Sequence, residues 1–232
     1  MPKILIVTTS HDRLGDTGQP TGLWLEELAT PYYALADSGA ELTLASIKGG
    51  PIPIDPKSRE PDGGVPASVE RFLADPEAVA AARTTPAIGE LYAGDYDAIF
   101  LPGGHGTMWD LPGNGALARA VGTALNAGRI VAAVCHGPAG LVSAKTDGGR
   151  PVVEGKRVAT FTDSEERAVG LDRVVPFLLE TRLRALGATI EKAPDFQPFA
   201  VRDGNLITGQ NPASSEQVAE LVLEALKEQG VI

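Results

Sequence analysis

The 232-residue chain contains a single cysteine, Cys135, followed directly by His136. A thiol beside an imidazole can perform nucleophilic catalysis: sulfur attacks, and the ring takes and returns the proton. Histidine is scarce, with only His11, His105 and His136 in the whole chain. The pair follows the apolar run 129–134 (RIVAAV) and precedes Gly137-Pro138-Ala139-Gly140. Small residues there permit a sharp turn out of a strand, which holds a nucleophile above the sheet. The N-terminus of a helix beginning after that turn would favour the thiolate. An inert buried cysteine is the commoner fate of a free thiol, but the turn argues for the functional reading.

A second turn, Pro102-Gly103-Gly104-His105-Gly106, ends another apolar run, Asp97–Leu101. Glycines leave backbone N–H groups unshielded, as an oxyanion hole requires. A phosphate cradle is the weaker reading, because Gly-Lys-Ser/Thr is missing. No spacing along the chain matches a zinc site.

These two turns need a frame. Lys3–Thr9 is nearly continuously apolar, as a strand buried on both faces should be. A helix over Gly22–Ser38 and a strand at Glu41–Ser46 complete a βαβ unit and imply a parallel sheet. Residues 48–66 are rich in Gly and Pro and read as an excursion, followed by a helix near Ser68–Ala82. Further helices are expected at Gly115–Ala127, Arg173–Leu186 and from about Ser215, where Ser214 and Gln217 fit a capping box. Val152-Val153, Arg157–Phe161 and Asn205–Gly209 are candidate strands. The expected fold is α/β, one doubly wound, mainly parallel sheet sandwiched by helices and spanning residues 1–232 as one domain. In such folds the site lies at the carboxyl ends of the strands, where both glycine turns fall.

A formal net charge of −10 argues against a nucleic-acid partner. One cysteine forms no intramolecular disulfide, which suits a reducing cytosol. No apolar stretch approaches the ~20 residues of a membrane span, and the N-terminal run reads as a strand rather than a signal segment.

Ala133-Val134-Cys135-His136-Gly137-Pro138 together with Leu101–Gly106 resembles the DJ-1/ThiJ/PfpI superfamily, within the class I glutamine amidotransferase-like, flavodoxin-like fold. The stretches 21–32 (TGLWLEELATPY), 161–166 (FTDSEE) and 207–214 (ITGQNPAS) narrow the resemblance to the Hsp31-like branch. The resemblance implies a glutamate on the first helix facing the cysteine. Glu26 and Glu27 are the candidates; they point about 100° apart, so only one can face the site. Counting back from Gly39 matches Glu27 and leaves Glu26 solvated. A carboxyl beside a thiolate should have a raised pKa. The resemblance also implies an acid behind His136, with Glu166 the match and Glu165 the fallback; both also suit helix capping after Thr162 or Asp163. Backbone amides of Gly104 and His136 would be the oxyanion donors, His105 and Trp24 would line the pocket, and Trp109 would pack below it.

The function so implied is a glutathione-independent glyoxalase, converting methylglyoxal or a related 2-oxoaldehyde to a 2-hydroxy acid, D-lactate, without cofactor or metal. Cysteine amidase or peptidase chemistry suits the same residues. A holdase chaperone or a redox sensor oxidised at Cys135 is the non-enzymatic alternative. The resemblance further implies a cytoplasmic homodimer with a small dicarbonyl substrate and neither nucleic-acid nor membrane partners.

Overall fold

The computed structural model describes residues 1–60 and 64–232. The part of the Gly/Pro-rich excursion at 61–63 lies outside them.

Six strands form one sheet in the order β2-β1-β3-β4-β8-β7. Their ranges are β1 Lys3–Thr8, β2 Glu41–Ser46, β3 Ala98–Leu101, β4 Ile130–Val134, β7 Ala200–Asp203 and β8 Leu206–Gly209. All neighbours pair in parallel except β7 with β8. A small separate ladder pairs β5 Arg157–Val158 with β6 Thr189–Ile190.

The central strands are buried on both faces, which is why their sequences are continuous apolar runs. Successive side chains alternate between two layers. Leu5, Val7, Ile99, Leu101, Val131 and Ala133 enter one layer, with α5 (Gly115–Asn126) and α7 (Leu179–Ala185). Ile4, Ile6, Phe100, Ala132 and Val134 enter the other, with α1 (Leu25–Asp37) and α8 (Ser215–Glu228). The doubly wound expectation therefore holds, with one antiparallel edge.

Several local expectations are corrected. The first helix starts at Leu25, not Gly22, because Trp24 is extended and the carbonyls of Gly22 and Leu23 accept from the amides of Gly106 and Asp55 rather than from a following helical turn. The single helix expected over Ser68–Ala82 is two, α2 (Ala67–Ala74) and α3 (Pro76–Arg83). Asp75 precedes a proline, which disfavours helical backbone there. Its Oδ1 then caps α3 by accepting from the amides of Glu77 and Ala78. The Arg173–Leu186 helix shrinks to α7, since Pro176 restricts Val175 and lacks an amide donor.

Val152 and Val153 are buried in a turn rather than a strand. Of Arg157–Phe161 only the first two residues pair. Ser214 makes no side-chain cap to α8. Its Oγ instead accepts from the Asn211 amide and donates to Asn211 Oδ1, closing the turn before the helix.

Among the described residues, no helix is long and apolar enough to cross a membrane.

Candidate active site

Cys135 follows β4 and has φ of 59°, a left-handed backbone that a side-chain-bearing residue adopts at a cost of about 1–3 kcal/mol. The elbow is clamped on both sides. Its amide donates to Gly209 O, and its carbonyl accepts from Phe161 N–H and Thr160 Oγ1. The sharp turn expected from the small residues is present.

The helix expected after it is a short 3₁₀ turn, Gly137–Leu141. Its dipole is correspondingly short, and burial acts against it: it pushes the Cys135 thiol above the ordinary cysteine pKa, with the carboxyl of Glu27 adding to the rise.

A base stands beside it. Cys135 Sγ lies 3.3 Å from His136 Nδ1, and His136 Nε2 lies 2.7 Å from Glu166 Oε2. Glu166 also takes His105 Nε2, at 2.7 Å, on its other oxygen, Oε1. Burial pushes Glu166 up, but the two imidazoles that bond its two oxygens outweigh it, and its pKa falls below the usual carboxylate value. An ionised Glu166 only accepts, so each histidine donates Nε2–H to it. That tautomer leaves His136 Nδ1 as a lone pair facing the thiol. Burial, and then His105, lower the pKa of His136, which keeps the ring neutral and able to take a proton. The Phe161 ring backs the imidazole at 4.5 Å between centroids.

Glu165 and Glu166, adjacent on α6 (Asp163–Ala168), divide the duties that the sequence left between them. Glu165 closes the capping box with Thr162. Its Oε1 accepts from Phe196 N–H, Gln210 Nε2 and Asn211 Nδ2. Glu166 alone reaches the histidines.

Glu27 on α1 is fully buried, whereas Glu26 is partly exposed. Glu26 is not simply solvated, as expected, because burial raises its pKa. Glu27 Oε2 accepts from the Gly103 amide at 2.7 Å. Its Oε1 has no partner of good hydrogen-bond geometry among the described residues, and Glu27 lines the same cavity as Cys135. Burial lifts the Glu27 pKa to about 8, opposed in part by the Cys135 thiol and the Gly103 amide.

The raised Glu27 pKa makes stability depend on pH. The unfolded carboxyl titrates near 4.5 and the folded one near 8, so the folded state holds the proton longer. That contribution is complete below pH 4.5 and is lost as pH rises to about 8, by at most about 1.4 kcal/mol per pH unit. Urea denaturation should therefore show Glu27→Gln gaining on the wild type between about pH 5 and pH 8. A gap constant with pH would contradict the raised pKa.

The glycine turn is fitted tightly between these groups. Gly104 has φ of 96°. A side chain at Gly103 would come within 2.6 Å of the His136 amide and 2.7 Å of Glu27 Oε2. Thr107 Oγ1 bonds the carbonyls of both Gly104 and His136, tying the two turns together. Among the described residues the amides of Gly104 and His136 find no acceptor.

Trp24, Glu27, Gly104, His105, Cys135 and His136 all line one cavity of about 220 Å³. The sequence had brought each of them to the site. It had not brought Val169, Phe196 and Pro212, which also line it. No periodicity marks these loop residues. Trp109 stacks on His11 at 5.2 Å.

His105, His136 and Glu166 also present three donor atoms within 4.8 Å of one another, which is metal-binding geometry that no linear spacing revealed. The three fit a cation only if it displaces the two Nε2 protons that they now share.

A nucleophilic thiol on a strained elbow, at the carboxyl edge of a doubly wound sheet and backed by histidine and glutamate, defines a class of cysteine-centred α/β proteins. The model described as DJ-1/PfpI family matches residues 22–225, and the chain belongs to that family. It is 32% identical to "Glyoxalase 3" of Candida albicans, over 98% of this chain and 99% of that one. It is also 32% identical to "Glutathione-independent glyoxalase HSP31" of Saccharomyces cerevisiae, over 97% and 98%. The crystal structure of Rapid Encystment Protein 24 KDa from Francisella tularensis superposes with a TM-score of 0.93 at 38% identity, over 97% of this chain and 99% of that one.

Proposed function

We propose that the protein is a glutathione-independent glyoxalase that adds water across a 2-oxoaldehyde such as methylglyoxal to give a 2-hydroxy acid. The observation that carries this is the pairing of Cys135 with two separate proton carriers, His136 at 3.3 Å and the buried Glu27, whose pKa is raised to about 8. Transfer of a proton between adjacent carbons needs a carrier distinct from the base that activates sulfur. The full-length relatives named as glyoxalases support the same reading.

In this mechanism His136 Nδ1 takes the thiol proton as sulfur bonds to the aldehyde carbon. The alkoxide forms against the amides of Gly104 and His136 and receives the Glu27 proton, giving the hemithioacetal. Ionised Glu27 then removes the C1 hydrogen while His136 returns its proton to the ketone oxygen, producing an enediol. Glu27 delivers its proton to C2 and then takes the C1 hydroxyl proton, which leaves a 2-hydroxyacyl thioester and restores the protonated carboxyl. Water, deprotonated by His136, displaces the sulfur, which recovers its proton. The sum is one aldehyde plus one water giving one acid, so no oxidant is consumed.

Following methylglyoxal and lactate by proton NMR, without added thiol, tests the reading. Rate against pH should be bell-shaped. The acid limb reflects His136 below its ordinary value of 6.5 and the alkaline limb Glu27 near 8. Glu27→Gln should lower kcat about 10²–10⁴-fold and remove the alkaline limb. No lactate, or an unchanged limb in the variant, would contradict the assignment. A pocket of about 220 Å³ suits a small carbonyl compound better than an extended peptide, which sets the peptidase alternative second. The same reading takes residues 1–232 as one domain acting as a cytoplasmic homodimer, on the strength of the family resemblance.

A further inference from the structure

We propose that the cavity over Cys135 selects uncharged 2-oxoaldehydes carrying an apolar, aromatic-sized substituent, a choice that rests on the glyoxalase reading and specifies its substrate. The reactive groups occupy one part of the lining. Trp24, Phe161, Val169, Phe196 and Pro212 supply the rest. A volume of about 220 Å³ corresponds to roughly seven water molecules at liquid density. The three-carbon methylglyoxal leaves much of that space unfilled, and unfilled apolar space forgoes contact energy.

The rim carries the second observation. Phe196 and Val169 are 47% and 44% exposed, among the few large apolar side chains left so open. Each loses water contact when an apolar group enters beside it. Phe196 is also held where it is. Its φ of 61° lies in the left-handed region that a bulky residue rarely adopts. Its amide is fixed by Glu165 Oε1 at 2.7 Å. The Phe161 and Phe196 rings stand 6.4 Å apart at 59°, in aromatic contact, and so add one continuous aromatic surface to the lining.

Charge completes the argument. No lysine or arginine is among the described residues lining the cavity, while Glu27 lies in it and Glu166 just behind His136. A substrate carboxylate or phosphate would therefore enter without a counter-ion, beside existing carboxyl groups. The reaction itself is unchanged: R–CO–CHO and water give R–CH(OH)–COOH.

The test compares kcat/KM for methylglyoxal, phenylglyoxal and 4-carboxyphenylglyoxal, in the wild type and in Phe196→Ala and Val169→Ser. Phenylglyoxal should exceed methylglyoxal by about tenfold or more, the scale of apolar pocket contacts. The carboxylated analogue should fall below phenylglyoxal by about tenfold. Each variant should shrink the phenylglyoxal-to-methylglyoxal ratio, which separates pocket selectivity from the intrinsic reactivity of the two aldehydes. Equal or better use of methylglyoxal, or a ratio that neither variant moves, would overturn the proposal while leaving the glyoxalase reading intact. Absence of turnover on all three aldehydes would remove both.

Discussion

Replacing Glu166 with glutamine should lower kcat/KM for methylglyoxal by about 10²–10⁴-fold while leaving the fold in place. Glu166 accepts from His136 on one oxygen and from His105 on the other. A glutamine has one acceptor oxygen and one donor nitrogen. One histidine must then present a lone pair to the amide and shift its proton to Nδ1. If that ring is His136, an N–H faces the sulfur and the base is lost. If it is His105, the tautomer of His136 survives, but the negative charge that stabilises the imidazolium has gone. Activity falls on either route. The measurement is steady-state turnover alongside circular dichroism, and a loss smaller than about tenfold in a folded variant would contradict the arrangement.

The neighbouring substitution, Glu165→Gln, should act on stability instead, by about 3 kcal/mol. Glu165 Oε2 accepts the Thr162 amide, and Oε1 accepts the Phe196 amide together with the side chains of Gln210 and Asn211. Backbone amides cannot reverse their polarity. Whichever way the new side chain turns, its NH₂ meets a buried backbone N–H. The loops carrying Phe161, Phe196 and Pro212 would lose their common anchor. Chemical denaturation should show the loss, together with a higher KM from the loosened pocket rim. Stability within about 1 kcal/mol of wild type would mean that this network is not what holds the loops.

These two glutamates show how far sequence could carry the reading. The strands were legible because β1, β3 and β4 are buried on both faces and so read as unbroken apolar runs. The elbow was legible because a cysteine, a histidine and several small residues follow such a run. The duties of Glu165 and Glu166 were not, because adjacent residues on a short helix differ only in direction, and direction depends on what packs nearby. β7 was missed for a related reason: an antiparallel edge strand such as Ala200–Asp203 needs little apolar character. Phe196 lies in an irregular loop, where no periodicity reports burial. A turn sequence suggests a dipole at Cys135 but does not show the depth of burial that opposes it. The shared proton network of His105, Glu166 and His136 joins residues far apart in the chain and emerges only in three dimensions.

The most direct test of the account is methylglyoxal turnover in thiol-free buffer by the wild type and by Cys135→Ala, each shown to be folded. The account predicts lactate formation by the wild type without glutathione and at least a ~10³-fold loss in the variant. Turnover surviving in Cys135→Ala, or a wild type that works only when glutathione is added, would contradict it.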